Sequence, residues 1–202
     1  SSNHIFTPGD ECDVLVAMNA AALKANLKTL KKGGRIIANV EGFDAKNLRL
    51  ANYPDGINPL EDHSLDNYDL IRVDVTKLTR EALKDFTLGN KEKDRAKNMF
   101  VLGFLYWMYN RSLDSTIQFL REKFSKRTEI LESNIAALKA GFNYGDTTET
   151  FTNTYTVSKA KLKPGTYRSI MGNQALAYGL IAASEKSGLP IFLGTSPITP
   201  AS

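Results

Sequence analysis

Three observations predict an α/β fold. Short apolar runs of strand length alternate with longer stretches of helical periodicity. The first two runs are joined by a helical stretch and a Gly-Gly pair, which reads as a strand–helix–strand unit. Near residue 172 an apolar helix is followed by another apolar run, as though the alternation began again.

The elements follow in order. Thr7-Pro8-Gly9-Asp10 is a turn signal. Residues 13–18, Asp-Val-Leu-Val-Ala-Met, read as a buried parallel strand. Asn19 can cap a helix over residues 20–32, where Leu23, Leu27 and Leu30 share one face and Gly33-Gly34 ends the run. Residues 35–39 form a second strand, and the connection makes the sheet parallel. A doubly wound fold would carry a strand before this unit, so the first strand is expected to precede Ser1. Residues 43–68 read as irregular, with Asn52, Pro54, Asp55, Gly56 and Pro59. A third strand over 70–75 leads to a helix over 76–86, then a polar loop over 89–94.

The middle of the chain is helical. Residues 96–110 are apolar most of the way round, which predicts a central buried helix. Residues 114–124 are amphipathic through Ile117, Leu120 and Phe124. A further helix over 128–140 is closed by Gly141. Residues 145–167 are polar and rich in Thr, and read as a linker arm. The expected organisation is therefore a first α/β domain over 1–144, an arm over 145–167, and over 168–202 the first helix and strand of a second domain.

Composition narrows the function. The chain of 202 residues is 42% hydrophobic and 24% charged, as in ordinary globular proteins. A net charge of +4, spread along the chain, does not point to nucleic acid. The single cysteine, Cys12, allows no internal disulfide and fits a reducing cytosol. One cysteine cannot hold an iron–sulfur cluster, and two histidines make a His-based metal site unexpected. No apolar run is long enough to span a membrane, and no signal peptide is visible. The expected location is cytoplasmic.

Candidate site residues have bland rivals. Asn19 and Asn39 sit at the ends of predicted strands, where an open α/β sheet binds ligands. They can contact a nucleotide-like ligand, or serve as a helix cap and a turn residue. No G-x-G-x-x-G loop or Walker loop is present, which disfavours a nicotinamide-dependent dehydrogenase. Phe100, Phe104 and Trp107 read as core, Lys91 to Arg95 as a solvated loop, and His63 as exposed. Cys12 has no nearby histidine to activate it. Thr199, held between Pro197 and Pro200 with Ile198, presents a hydroxyl at a strand end, suited to a carboxylate or a diphosphate cofactor or to a plain turn.

The run from Arg168-Ser169-Ile170-Met171-Gly172-Asn173-Gln174-Ala175 through Phe192-Leu193-Gly194-Thr195-Ser196-Pro197-Ile198-Thr199-Pro200 resembles the start of the pyrimidine-binding domain of 2-oxoacid:ferredoxin oxidoreductases. Upstream, Thr7 to Asp10, Asp13 to Asn19, Gly34 to Asn39 and Lys97 to Gly103 resemble their gamma domain, in the same order. A gamma domain ahead of the alpha domain resembles the alpha subunit of the 2-oxoglutarate type. Two features depart from that pattern. Ser196 stands where the family usually has Tyr before Pro-Ile-Thr-Pro, and the glycine-rich opening strand of the gamma domain is absent.

The resemblance implies oxidative decarboxylation of a 2-oxoacid to its acyl-CoA, with thiamine diphosphate and Mg2+ shared with a beta subunit. Electrons would reach ferredoxin through an iron–sulfur cluster in that partner, within a hetero-oligomer. It also implies that Thr199 contacts the substrate carboxylate or the cofactor. Pro197, Ile198 and Pro200 would shape that pocket. Asn19 and Asn39 are the candidates toward coenzyme A. The competing reading is a non-catalytic α/β module that binds a nucleotide or a partner.

Overall fold

The computed structural model describes residues 9–55, 57–148, 154–158, 161–168 and 170–194. The chain divides into two compact units, Ser1–Ala160 and Lys161–Ser202.

The first unit is an α/β layer structure. Strands β1 (Cys12–Ala17), β2 (Leu30–Asn39) and β3 (Asp69–Val73) form a parallel sheet in the order β1-β2-β3. Side chains alternate across it, as the pleat requires. Leu15, Ala17, Ile36 and Ala38 join a core with Ala20, Leu23, Phe43, Leu60 and Leu65. Ile37, Ile71 and Val73 join the opposite core with Phe100, Phe104 and Met108. Burial on both faces explains why the strands are near-continuous apolar runs rather than alternating ones.

Among the described residues the helices are α1 (Ala20–Asn26), α2 (Ala45–Leu50), α3 (Val75–Ala82), α4 (Asn90–Arg95), α5 (Lys97–Met108), α6 (Asp114–Lys123), α7 (Thr128–Thr148) and, in the second unit, α8 (Gly172–Ser187). The central buried helix is α5, with Phe100 2% and Phe104 1% exposed. It packs against α7 through bare backbone: a Cβ on Gly103 would lie 1.9 Å from the Leu138 carbonyl oxygen, and one on Gly141 1.8 Å from that of Phe100. Leu120 of α6 completes a smaller cluster with Ile135 and Leu138 of α7.

Several expectations are corrected. The helix expected over 20–32 stops at Asn26, and a 3-10 turn over Leu27–Thr29 leads into β2. Gly33-Gly34 lies within β2 and is not a helix stop. Cys12 pairs with Leu30 and Val14 with Arg35, so the intervening residues of β2 bulge out. Gly33 turns there with φ +73°, and Gly34 has no room for a Cβ beside Leu30. Pairing with β1 outweighs the local leucine periodicity. Residues 45–50, read as irregular, form α2, capped by Asp44. The polar loop over 89–94 contains α4, begun at Gly89, whose N–H donates to the Glu92 carboxylate at 3.2 Å.

Gly141 does not close α7, which runs on to Thr148. A glycine that lets two backbones touch is indistinguishable in sequence from one that ends a helix. Of the arm expected over 145–167, residues 145–148 are thus helical, and Tyr155 bonds to the end of α5.

In the second unit, α8 ends where Gly188 adopts φ +69° and its N–H donates to the Ser184 carbonyl at 2.9 Å. The strand expected after it is not formed among the described residues. A strand needs a neighbour to share hydrogen bonds, and the described part of this unit holds no second strand. Pro197, Ile198, Thr199 and Pro200 lie outside the described residues.

Candidate functional site

In a parallel sheet, the carboxyl ends of the strands face one side, where loops and helix N-termini gather. Here β1 runs into Met18 and Asn19, β2 into Asn39 and the 3-10 turn Val40–Phe43, and β3 into Asp74 at the head of α3. The turn after β2 is packed directly on the segment after β1, since a Cβ on Gly42 would lie 2.1 Å from the Met18 carbonyl oxygen. The three strand ends form one continuous rim.

Asn19 and Asn39 both lie on this rim, as their sequence positions predict. Asn19 caps α1, its Oδ1 accepting from the Ala22 N–H at 2.8 Å. Asn39 is 3% exposed and ties the rim together. Its Oδ1 accepts from the Val75 N–H at 3.1 Å, and its Nδ2 donates to the Met18 carbonyl at 3.4 Å. One side chain thus links the ends of all three strands and satisfies an N–H at the head of α3. Asp74 caps the same helix through the Lys77 N–H at 3.0 Å.

A charged cluster stands on the same rim. Glu41 lies 4.0 Å from Arg80 and 3.8 Å from Lys97. Arg80 donates to both Asp94 oxygens, each at 2.8 Å, in a fork-to-fork pair. Lys97 donates to the Thr76 hydroxyl at 3.2 Å. The Arg80 hydrogen bonds hold the Asp94 carboxyl below the usual carboxylate range, and Asp94 in turn raises the guanidinium. Sequence reasoning missed these four residues. They come from the turn after β2, α3, α4 and α5, and no local spacing marks them.

The rim gathers the capped heads of α1 and α3 and two cations, Arg80 and Lys97, that face the carboxylates of Asp94 and Glu41. Its groups include no nucleophile paired with a base. His63 lies elsewhere, 85% exposed and 3.2 Å from Asp66. Cys12, at the start of β1, has Thr29 Oγ1 at 3.9 Å as its polar neighbour. Among the described residues no group of His, Cys, Asp and Glu could hold a metal ion, and no helix is long and apolar enough to cross a membrane.

Comparison with known proteins agrees with this architecture. The chain is 51% identical over 198 residues to the 2-oxoglutarate oxidoreductase subunit KorA of Mycobacterium tuberculosis, covering 98% of this chain and 30% of that protein. Its fold matches a 2-oxoglutarate:ferredoxin oxidoreductase from Magnetococcus marinus, whose structure has 2-oxoglutarate, coenzyme A and succinyl-CoA bound. That match has TM-score 0.69 and 24% identity over 100% of this chain and 30% of that one. The chain thus spans about 30% of the length of the relatives it matches. Residues 1–144 match the family model described as pyruvate ferredoxin/flavodoxin oxidoreductase, and the chain belongs to that family.

Proposed function

We propose that this chain is part of the alpha subunit of a 2-oxoacid:ferredoxin oxidoreductase of the 2-oxoglutarate type. The observation that carries this reading is the 51% identity, sustained over 198 residues, to a 2-oxoglutarate oxidoreductase subunit. In the reaction, the 2-oxoacid loses CO2, its acyl group passes to the coenzyme A thiol, and two electrons leave for ferredoxin. Thiamine diphosphate with Mg2+ would supply stabilisation of the acyl carbanion. These 202 residues hold one cysteine, too few to ligate an iron–sulfur cluster, and the cluster would lie in a beta subunit that also contributes to the thiamine site.

Each candidate residue has a role in this reading. Thr199 contacts the substrate carboxylate or the cofactor, and Pro197, Ile198 and Pro200 shape that pocket. Coenzyme A lies along the carboxyl rim of the first unit, where the strand ends and helix heads gather. Asn39 positions that rim rather than touching the ligand, because its side-chain oxygen and nitrogen are already bonded to Val75 and Met18. Asn19 holds the head of α1 at the edge of the same surface. The domain arrangement proposed is a gamma-type domain over 1–144, an arm over 145–167 and the start of the pyrimidine-binding domain from 168. The assembly is a cytoplasmic hetero-oligomer.

The test is anaerobic dye reduction by the native complex containing this chain, with each 2-oxoacid in turn, with and without coenzyme A. Reduction that needs both coenzyme A and 2-oxoglutarate is the expected result. Reduction with a different 2-oxoacid overturns the substrate assignment. No reduction, from a complex shown to contain thiamine diphosphate and iron, overturns the enzyme reading in favour of a binding module.

A further inference from the structure

A groove of about 460 Å3 opens at the amino end of the sheet, away from the carboxyl rim. Asp13, the bulge from Lys31 to Gly34, Tyr109 and the segment Tyr155 to Val157 form its walls. The groove is a poor ligand site. Lys31 is neutralised by Asp13 at 2.8 Å, and the Tyr155 ring is already engaged by other side chains.

Those engagements fasten one wall of the groove, the segment around Tyr155, to the other. The Tyr155 N–H donates to the Met108 carbonyl at 2.7 Å, satisfying an acceptor at the end of α5 that has no partner within its helix. The Tyr155 ring stacks on Tyr109 at 5.2 Å between centroids and 27° between planes. The Arg35 guanidinium lies 5.6 Å from the centre of the Tyr155 ring. Arg35 is itself held, its Nε donating to Asp69 at 2.7 Å and its Nη1 lying 3.6 Å from the Met108 sulfur. It is 8% exposed, so the seat beneath the ring is built into the sheet.

We infer that residues 154–158 are a strap fastened to the amino end of the sheet by Tyr155, and that the strap opens separately from unfolding of the first unit. Among the described residues it is attached by the Tyr155 N–H and the Tyr155 ring, against the two apolar cores that hold the sheet beneath. Such a segment sits at the low end of the local stability range.

The test is amide hydrogen exchange on the native complex, comparing wild type with Tyr155→Ala and Tyr155→Phe. In Tyr155→Ala, the loss of stacking and cation–π attraction should speed exchange at residue 155 on the order of tenfold, after correction for its intrinsic rate. Exchange at Ile36, Ile37 and Ala38 of β2 should stay unchanged. Tyr155→Phe keeps the ring and should stay near wild type. Trypsin cleavage after Lys161 should accelerate in Tyr155→Ala alone. Unchanged protection at residue 155 in Tyr155→Ala overturns the fastening. Loosening of the β2 amides together with residue 155 overturns the separate opening.

Discussion

Replacing Gly103 with alanine tests the α5–α7 crossing, on which the second core depends. The new Cβ would lie 1.9 Å from the Leu138 carbonyl oxygen, whereas ordinary contact begins near 3.4 Å. The helices must therefore separate by about 1.5 Å, the difference of these two distances, because the obstacle is backbone and cannot rotate away. A gap of even 0.5–1 Å forfeits about a quarter to a half of each dispersion contact across it. Phe100, Phe104 and Leu138, each at most 2% exposed, are packed in these clusters. Overpacking costs about 1–3 kcal/mol in typical cores and more where nothing can yield. Alanine's better helix propensity returns about 1 kcal/mol. A backbone obstacle places this site at the top of that range, so the net loss is about 2 kcal/mol, or roughly 4–8 °C in Tm for a unit of this size. Thermal unfolding by circular dichroism measures it, with Gly179→Ala as the matched control. Gly179 has nothing within 4 Å of its would-be Cβ, so the control should leave the transition of the first unit where it is. Gly141→Ala strikes the same crossing from the other helix, 1.8 Å from the Phe100 oxygen. The double variant should lose less than the sum, because one separation accommodates both methyl groups. A Gly103→Ala protein melting at or above wild type would refute the reasoning.

Asn39→Ala leaves the Val75 N–H and the Met18 carbonyl without their side-chain partner, so urea titration should show a loss of about 1–3 kcal/mol. Asn19→Ala removes one exposed cap bond and should cost about 1 kcal/mol; an equal or larger loss at Asn19 would contradict the proposed tie across the rim. The Arg80–Asp94 pair gives a pH signature. Hydrogen bonding to Arg80 lowers the folded Asp94 value, so its stabilisation is complete above the unfolded value near about 4 and disappears as pH falls through the folded one. Wild type should exceed Asp94→Asn in stability at about pH 6, and the gap should shrink below about pH 4. A gap constant down to about pH 3 would show that the pair contributes no such linkage.

Much of this architecture is legible along the chain. The three strands, α5 and α6 stand close to their predicted places, because their signals are local apolar runs and periodicities that the folded packing agrees with. Asn19 is legible as a cap for the same reason, since its partner is Ala22, three residues away. Lys31 to Gly34 is not. The spacing of Leu23, Leu27 and Leu30 followed by the two glycines suits a helix and its stop, and only pairing with β1 draws the segment into β2. Gly141 and Gly145 illustrate the same ambiguity. Gly141 reads as a helix stop and Gly145 as the start of an arm, yet the structure uses them where α7 meets the backbone of Phe100 and the ring of Trp107.

The candidate site divides along that line. The residues alone determined that the first unit is α/β with a parallel sheet, and that Asn19 and Asn39 end strands at one rim. The tertiary structure alone decided what Asn39 does there, because its partners, Met18 and Val75, come from the ends of the two flanking strands. It also brought Glu41, Arg80, Asp94 and Lys97 together from four segments, and seated Tyr155 on Arg35 across 120 positions of sequence. Local spacing records which element a residue belongs to. Contacts between elements depend on how the sheet stacks its helices, and that is settled only when the apolar faces find one another.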